Sequence, residues 1–273
     1  MKIQGKTALI TGASRGIGRA IALQLAQQGI EKVILVARDR HRLAEVAAEI
    51  ANYGPEAVVL PLDLTETVKV NIAIAATWRQ HGPIHLLINC AGIAHQTPFI
   101  QARLPQVQEE LSLNLMGIYT MTHLVARRMA SKREGHIINV SSLMGKIGAP
   151  TMATYSATKF AILGFTQALR SELAAYNIKV TALLPSLTDT DMAKNTQRFR
   201  WVASMTPERV AQVLVTGLEK ESPEILVGWQ SHVAVFVNRI APRILEGWLR
   251  MTAPTAAAKS NFSKLPPLAK QGS

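Results

Sequence analysis

A short apolar run, Thr7–Thr11, enters the turn Gly12-Ala-Ser-Arg-Gly16-Ile-Gly18 and leaves it in a helical pattern that reaches about Gln28. Strand, glycine turn and helix in that order leave few architectures open, and they predict a parallel sheet flanked by helices. Glycines let a bound group lie close to the backbone. The N-terminus of the helix offers free N–H groups and a partial positive charge, so the unit suits a pyrophosphate. The spacing is GxxxGxG, not the GxGxxG of the commoner dinucleotide turn. A plain glycine-rich connector is the alternative, and the flanking strand and helix weigh against it.

The same alternation runs on down the chain. Apolar strands are expected at Val33–Ala37, Ala57–Leu62, His85–Asn89, Ile137–Val140, Lys179–Leu184 and Glu224–Val227. Helical periodicity is expected at Arg40–Tyr53, Thr67–His81, Gln106–Ala130, from Tyr155 to about Tyr176, and at Pro207–Lys220. With 273 residues, 48% of them hydrophobic, the chain can bury the large core such an α/β domain needs. The second strand ends at Ala37-Arg38, where an acidic residue would favour NAD and an arginine favours the 2′-phosphate of NADP. Arg15, inside the glycine turn, points the same way; a solvated surface role for Arg38 is the alternative. Asp63 ends the third strand, placed to meet an adenine edge or to cap the next helix. At the fourth strand end, Ala91 and Gly92 are small enough for a cofactor to lie against the backbone. Cys90 beside them reads as a buried, inert thiol, since no base is paired with it.

A second cluster lies at Ile137–Lys159. The strand ends at Ser141-Ser142, and a helix then carries Tyr155 and Lys159, four residues apart and so on one face. A free tyrosine hydroxyl has a pKa of about 10. A fixed ammonium one turn away would lower it, making a proton donor and acceptor usable near neutral pH. Ser142 could hold a substrate oxygen beside it. A solvated Tyr/Lys helix face is the ordinary alternative. Asn114, among apolar neighbours in the long helix, needs hydrogen-bond partners and reads as a structural bridge or part of a proton relay.

Composition closes off other functions. The net charge is +12, but the basic residues are dispersed. Their densest runs, 38–42 and 127–133, lack the interleaved aromatics of a nucleic-acid binder, so no nucleic-acid partner is expected. No histidine pair has metal-ligand spacing, and no metal is expected. One cysteine and an N-terminus without a signal-peptide pattern fit a reducing, cytoplasmic setting. Residues 186–200 suit a loop that covers a substrate. Beyond 228, His232–Met251 places apolar residues at helical spacing, with Pro242 expected to kink or divide it. Arginines and tryptophans there suit either an interfacial membrane helix or a helix packed over a pocket or a partner subunit. The composition from 252 to 273 reads as disordered.

Taken in order, TGASRGIG at 11–18, the Asp63 strand end, NCAG at 89–92, Asn114, Ser142, Tyr155-x-x-x-Lys159 and PSLTDT at 185–190 resemble the short-chain dehydrogenase/reductase family. The resemblance covers roughly 3–228. It implies one doubly wound Rossmann domain over 1–228, with a seven-stranded parallel sheet between helix layers. A helical extension at 229–251 and a tail at 252–273 would follow. It also implies an NADP(H)-dependent enzyme acting on a carbonyl or secondary alcohol. Tyr155 would be the acid/base, Lys159 would bind the nicotinamide ribose and lower the tyrosine pKa, and Ser142 would hold the carbonyl. Asn114 would anchor a water linking Lys159 to solvent. Gly12, Gly16, Ile17 and Gly18 would line the phosphates and ribose, Asp63 the adenine, and Asn89 the adenine ribose. Thr190 would meet the carboxamide with Thr188 beside it, and Arg15 and Arg38 would select NADP. Ser14, Leu64, Ala91, Gly92 and Pro185 belong to the same implied cofactor contact. Cys90 and Ser186 depart from the family pattern, where asparagine and glycine are frequent. The extension implies a bulky, apolar substrate. A 3-oxoacyl-carrier-protein reductase and a non-catalytic NADPH sensor or scaffold are the alternatives. Homo-dimers or tetramers are implied, formed through the helices carrying Asn114 and Tyr155, and a peripheral membrane contact through 230–251 stays open.

Overall fold

The computed structural model describes residues 2–194, 196–200 and 202–254. Its strands are β1 (Thr7–Thr11), β2 (Lys32–Ala37), β3 (Glu56–Pro61), β4 (Leu86–Asn89), β5 (Gly135–Val140), β6 (Ile178–Leu184) and β7 (Glu224–Leu226). They form one sheet in the order β3-β2-β1-β4-β5-β6-β7, with every neighbouring pair parallel. This is the seven-stranded, doubly wound arrangement expected from the sequence. Strand order reverses between β1 and β4. Open α/β sheets of this kind form a ligand crevice at that switch, beyond the carboxyl ends of the strands.

The central strands are apolar throughout because helices cover both faces. Side chains alternate along each strand, so adjacent residues enter opposite layers. Leu9, Ile34, Leu87 and Ile137 pack with Val70, Ile74, Met121 and Val125. Ile10, Leu35, Ile88 and Ile138 pack on the other face with Ile21, Leu25 and Leu214. The covering helices are α1 (Gly16–Gln27), α2 (Arg40–Ala51), α3 (Thr67–His81), α4 (Leu104–Leu111), α5 (Ile118–Lys132), α6 (Ala153–Ala174), α7 (Asp191–Lys194) and α8 (Pro207–Glu219). Asp39 caps α2 through the Arg42 N–H at 3.1 Å, and Thr206 caps α8 through the Arg209 N–H at 3.2 Å. At α1 the capping position is Arg15, whose side chain makes no capping bond.

The structure departs from the periodicity in three places. The helix expected over 106–130 is α4 and α5 joined by a π-helical turn, Ser112–Gly117. Asn114 sits in that turn, and its amide both accepts from the Ile93 N–H and donates to the Ile93 carbonyl, each at 2.9 Å. Turns of this type recur at functional sites. His85 stands outside β4, and its Nδ1 accepts the Thr7 N–H at 3.0 Å. The 186–200 stretch is partly ordered into structure, with Thr188 bridged to Met205 and α7 following.

After β7 come α9 (Trp229–Ile240) and α10 (Pro242–Thr252), separated at Pro242 as expected. The tail expected to be disordered from 252 lies outside the described residues from 255 onward. Thr252 itself ends α10 and is buried.

A buried polar chain ties the sheet to its helices. Asn89 Nδ2 donates to Asn139 Oδ1 at 2.8 Å and to Thr122 Oγ1 at 2.9 Å, and Asn139 Nδ2 donates to Thr166 Oγ1 at 3.0 Å. Asn139→Ala leaves two of these groups short of a partner away from water. The expected loss is about 2 kcal/mol in urea unfolding, and a loss under about 0.5 kcal/mol would contradict the network's role.

Candidate active site

One cavity of about 920 Å³ opens at the carboxyl ends of the strands, across the β1/β4 switch. Ligand sites usually fall between about 300 and 1,000 Å³. Of the residues singled out in the sequence, all but Asn89 and Asn114 line it.

The middle of the cavity is the glycine turn. Gly12 and Gly16 have φ of +69° and +56°, in the left-handed region where a side chain is strained. A Cβ on Gly12 would stand 2.9 Å from the Ala91 backbone, and one on Gly18 would strike the Gly12 carbonyl. A Cβ on Gly16 would press on the Thr190 methyl at 3.1 Å. Side chains would therefore fill a cradle that the three glycines keep open, beside the α1 N-terminus that lacks a side-chain cap. This fits a diphosphate held by backbone N–H groups. Ser14, Ile17, Gly92, Pro185 and Thr188 complete the walls around it.

The adenosine end of such a ligand would meet three arginines. Arg15 lies 3.7 Å and Arg42 3.5 Å from the Asp191 carboxylate, and Arg38 lies 4.0 Å from Asp63. Arg42 was not picked out in the sequence; its signal was its place one helical turn after Arg38. Asp63 lines the cavity beside Leu64 but does not cap α3, whose capping position is Glu66. Its Oδ1 accepts from the Thr65 N–H at 2.9 Å and the Thr65 hydroxyl at 2.7 Å. Burial pushes the Asp63 carboxyl up, but the Thr65 bonds and the Arg38 and Lys69 charges outweigh it and hold the group below the ordinary carboxylate value.

At the other end stand Ser142, Tyr155 and Lys159. Ser142 follows β5; its Oγ accepts the Met144 N–H at 3.1 Å, its hydroxyl donates to the Pro185 carbonyl at 3.5 Å, and it shares the cavity wall with Tyr155. Lys159 is 4% exposed. Its Nζ donates to the Val140 carbonyl at 3.1 Å and stands 5.4 Å from the centre of the Tyr155 ring. The expectation that Lys159 lowers the Tyr155 pKa is corrected here. Burial pushes the tyrosine up to about 12 despite the opposing influence of the Ser142 hydroxyl, and burial pulls Lys159 down to about 8. Desolvation penalises the charged form of each group, and it is the largest cause of both shifts. Tyr155 is thus a protonated donor at neutral pH.

A further expectation is corrected. Asn89 does not reach the cavity with its side chain, which is fully buried and bonded to Asn139 and Thr122. Strand alternation turns Cys90 toward the cavity instead, with its thiol pushed up to about 12 by burial, and so inert as expected. The Asn114 amide is taken up by Ile93 and, at 3.3 Å, by the Thr158 hydroxyl. It lies behind the cavity wall, and a Cβ on Gly92 would meet Asn114 Oδ1 at 3.2 Å and Lys159 Nζ at 3.7 Å. Sequence reasoning also missed Glu110, 1% exposed, whose Oε1 accepts the His95 N–H at 3.2 Å. Burial raises its pKa, and its charge reaches Lys159 and Tyr155. Its place four residues before Asn114, on the same helical face, was the available signal.

Comparison with known proteins agrees with this geometry. The family model described as short chain dehydrogenase matches residues 6–201. A 3-oxoacyl-[acyl-carrier-protein] reductase of Aquifex aeolicus is 39% identical over 193 residues, 70% of this chain and 77% of the relative. One of the same name from Synechocystis is 36% identical over 193 residues, 71% of this chain and 78% of the relative. The crystal structure of a short chain dehydrogenase from Burkholderia cenocepacia in complex with NADP superposes with a TM-score of 0.80 at 28% identity. That match covers 93% of this chain and 100% of the other.

The buried Lys159 has a thermodynamic signature. Its folded pKa of about 8 lies below the ordinary lysine value of 10.5, so above about pH 8 the folded chain loses this proton first. The unfolded chain then binds more protons, and stability rises with pH over that interval. Between about pH 7 and pH 9 the gain from Lys159 is about 1 kcal/mol, opposed by a smaller loss from Cys90, whose thiol ionises near 9 in the unfolded chain but is pushed up to about 12 by burial in the fold. Urea unfolding at both pH values should show this gain in the native chain and lose it in Lys159→Met; equal slopes would contradict the burial.

Proposed function

The chain belongs to the short chain dehydrogenase family and is an oxidoreductase, and from that premise we propose that it is NADP(H)-dependent and interconverts a bulky, apolar ketone and its secondary alcohol. The observation that carries this reading is the single cavity with arginines at one end, a glycine cradle in the middle and Ser142, Tyr155 and Lys159 at the other. Bound NADP(H) would supply or accept the hydride. Arg15, Arg38 and Arg42 would hold the 2′-phosphate, where an acidic residue would have favoured NAD. The backbone from Gly12 to Gly18 would hold the diphosphate, with Thr188 and Thr190 beside the nicotinamide.

The protein's share of the chemistry is position and proton transfer. Ser142 Oγ would hold the substrate oxygen, and Tyr155 Oη would give it the proton that completes the alcohol. The high Tyr155 pKa suits this donor role. Lys159 would place a cation beside the ribose and the developing phenolate. Asn114 would act from behind, fixing Ile93 and Thr158 around Lys159.

Support for an apolar substrate comes from the cavity walls beyond Tyr155. Ile147, Met152, Phe199, Val202, Val237, Trp248 and Leu249 line them, the last three from the C-terminal helices. The second reading, a 3-oxoacyl-carrier-protein reductase, is favoured by the names of the relatives at 36% and 39% identity. Exposed Leu111, Met116, Tyr119 and Phe160, on and between α4, α5 and α6, support homo-oligomerisation through those helices. Among the described residues no helix is long and apolar enough to cross a membrane. The lone cysteine fits a cytoplasmic setting.

NADPH oxidation followed by absorbance across steroids, retinal, small diketones and a 3-oxoacyl thioester tests the reading. Turnover greatest on a lipid-like ketone supports it; turnover confined to the thioester selects the second reading. Tyr155→Phe should cut turnover by about 10³-fold, with NADPH affinity unchanged by fluorescence titration, and retained turnover would contradict the proton-donor role. Arg38→Asp should weaken NADPH roughly tenfold while sparing NADH; equal loss of both would contradict the 2′-phosphate assignment.

A further inference from the structure

The C-terminal helices have two working faces. One lines the cavity. The other carries Trp229, Val233, Phe236 and Ile240 on α9 and Ile244 and Met251 on α10, all between 51% and 73% exposed. Along α9 the spacing is four, three and four residues, which forms a single stripe. Among the described residues nothing covers this stripe, and a contiguous exposed apolar stripe marks a contact surface rather than ordinary scatter.

The neighbours of the stripe are ordered too. Successive helical residues turn by about 100°, so the residue after each stripe position lies to one side and the residue before it to the other. After Trp229, Val233, Phe236 and Ile244 come Gln230, Ala234, Val237 and Leu245, all on the cavity wall. Before Ile240, Ile244 and Met251 come Arg239, Arg243 and Arg250, all exposed. The stripe thus has a cavity wall along one margin; along the other, Arg239 stands at the end of α9 after His232 and Val235, and Arg243 and Arg250 stand on α10. Trp229, Val233 and Ile244 belong both to the exposed stripe and to the cavity lining. They form the cavity's rim.

We propose that this face docks on an anionic phospholipid surface, with α9 and α10 lying flat in the interface and the cavity mouth opening at lipid level. Three features select this occupant. The two helices carry three arginines against one acidic residue, Glu246, and the whole chain carries +12. Arginines beside an apolar stripe can seat their stems on it and reach the headgroups. The shared rim gives an apolar ketone a path from the bilayer to Tyr155 without crossing water. The inference rests on the apolar-substrate reading and deepens it by naming where the substrate is met.

Flotation of the full chain with liposomes tests it, using phosphatidylcholine alone and phosphatidylcholine with about 30 mol % phosphatidylglycerol. Binding is expected to the anionic liposomes only and to fall with salt. A Phe236→Ser, Ile240→Ser, Met251→Ser variant should lose at least tenfold in partition, as should Arg239→Glu, Arg243→Glu, Arg250→Glu. Each arginine near an anionic surface contributes roughly fivefold. Sedimentation and NADPH-dependent reduction of a small soluble ketone, run on the same proteins, should be unchanged. The proposal is overturned by no flotation, or by flotation that both variants retain. It is also overturned by variants that lose only self-association, which would make the face a subunit contact. Flotation without turnover of any apolar ketone would leave the docking intact and remove the substrate reading.

Discussion

The site is built around a lysine that the fold removes from water. Lys159 reaches Val140 at the end of β5, and among the described residues its ammonium has that one backbone carbonyl as its hydrogen-bond acceptor. Holding it there takes a rigid connection between β5 and α6. The Ser141 hydroxyl donates to the Lys159 carbonyl at 2.8 Å, and a Cβ on Gly145 would sit 2.7 Å from that same carbonyl oxygen. Backbone packing therefore sets the depth of Lys159. Tyr155, half-buried one turn earlier on the same helix, lines the cavity beside it, and burial raises the tyrosine pKa while lowering that of the lysine.

The cofactor cradle depends on the close approach of its glycines to neighbouring backbone and to one side-chain methyl. Gly12 lies against Ala91 at the β4 end, Gly18 against Gly12, and Gly16 against Thr190. The third contact joins the glycine turn to the loop after β6. That loop also carries Asp191, which faces Arg15 and Arg42 across the cavity. These exposed ion pairs add little stability on their own. They do place the arginines together, and a phosphate with more charge and more acceptors would compete well for them. Beyond the loop, α9 and α10 close the far wall, which makes the apolar end of the cavity deeper than the seven-stranded domain alone would provide.

Much of this was legible in the residues. The strand–glycine–helix unit, the alternation of strands and helices, the Tyr155/Lys159 pair and the break at Pro242 are local signals with local causes. What escaped was what depends on environment. The spacing of Tyr155 and Lys159 is readable, but their pKa values follow from a burial that many residues jointly produce. Asn89 looks like a cofactor contact by position, yet its side chain turns into the sheet–helix layer, where Asn139 and Thr122 wait. Arg42 and Glu110 each stand one turn from a residue that was noticed, and only the fold says which turn faces inward. The π-turn at Asn114 has no periodic signature, because a single extra residue in a helix does not change its apolar stripe enough to see. For α9 and α10, packing over the pocket and an exposed apolar face stood as alternatives in the sequence; the helices do the first with one side and carry the second on another.

The central claim is that one cavity brings a nicotinamide cofactor, an apolar carbonyl and Tyr155 together. The most direct measurement is transfer of label from NADPH deuterated at nicotinamide C4 to a lipid-like ketone, read by mass spectrometry of the alcohol. The account predicts one deuterium on the carbinol carbon with the native chain and none with Tyr155→Phe. Binding of NADPH and ketone without any transferred label would contradict it.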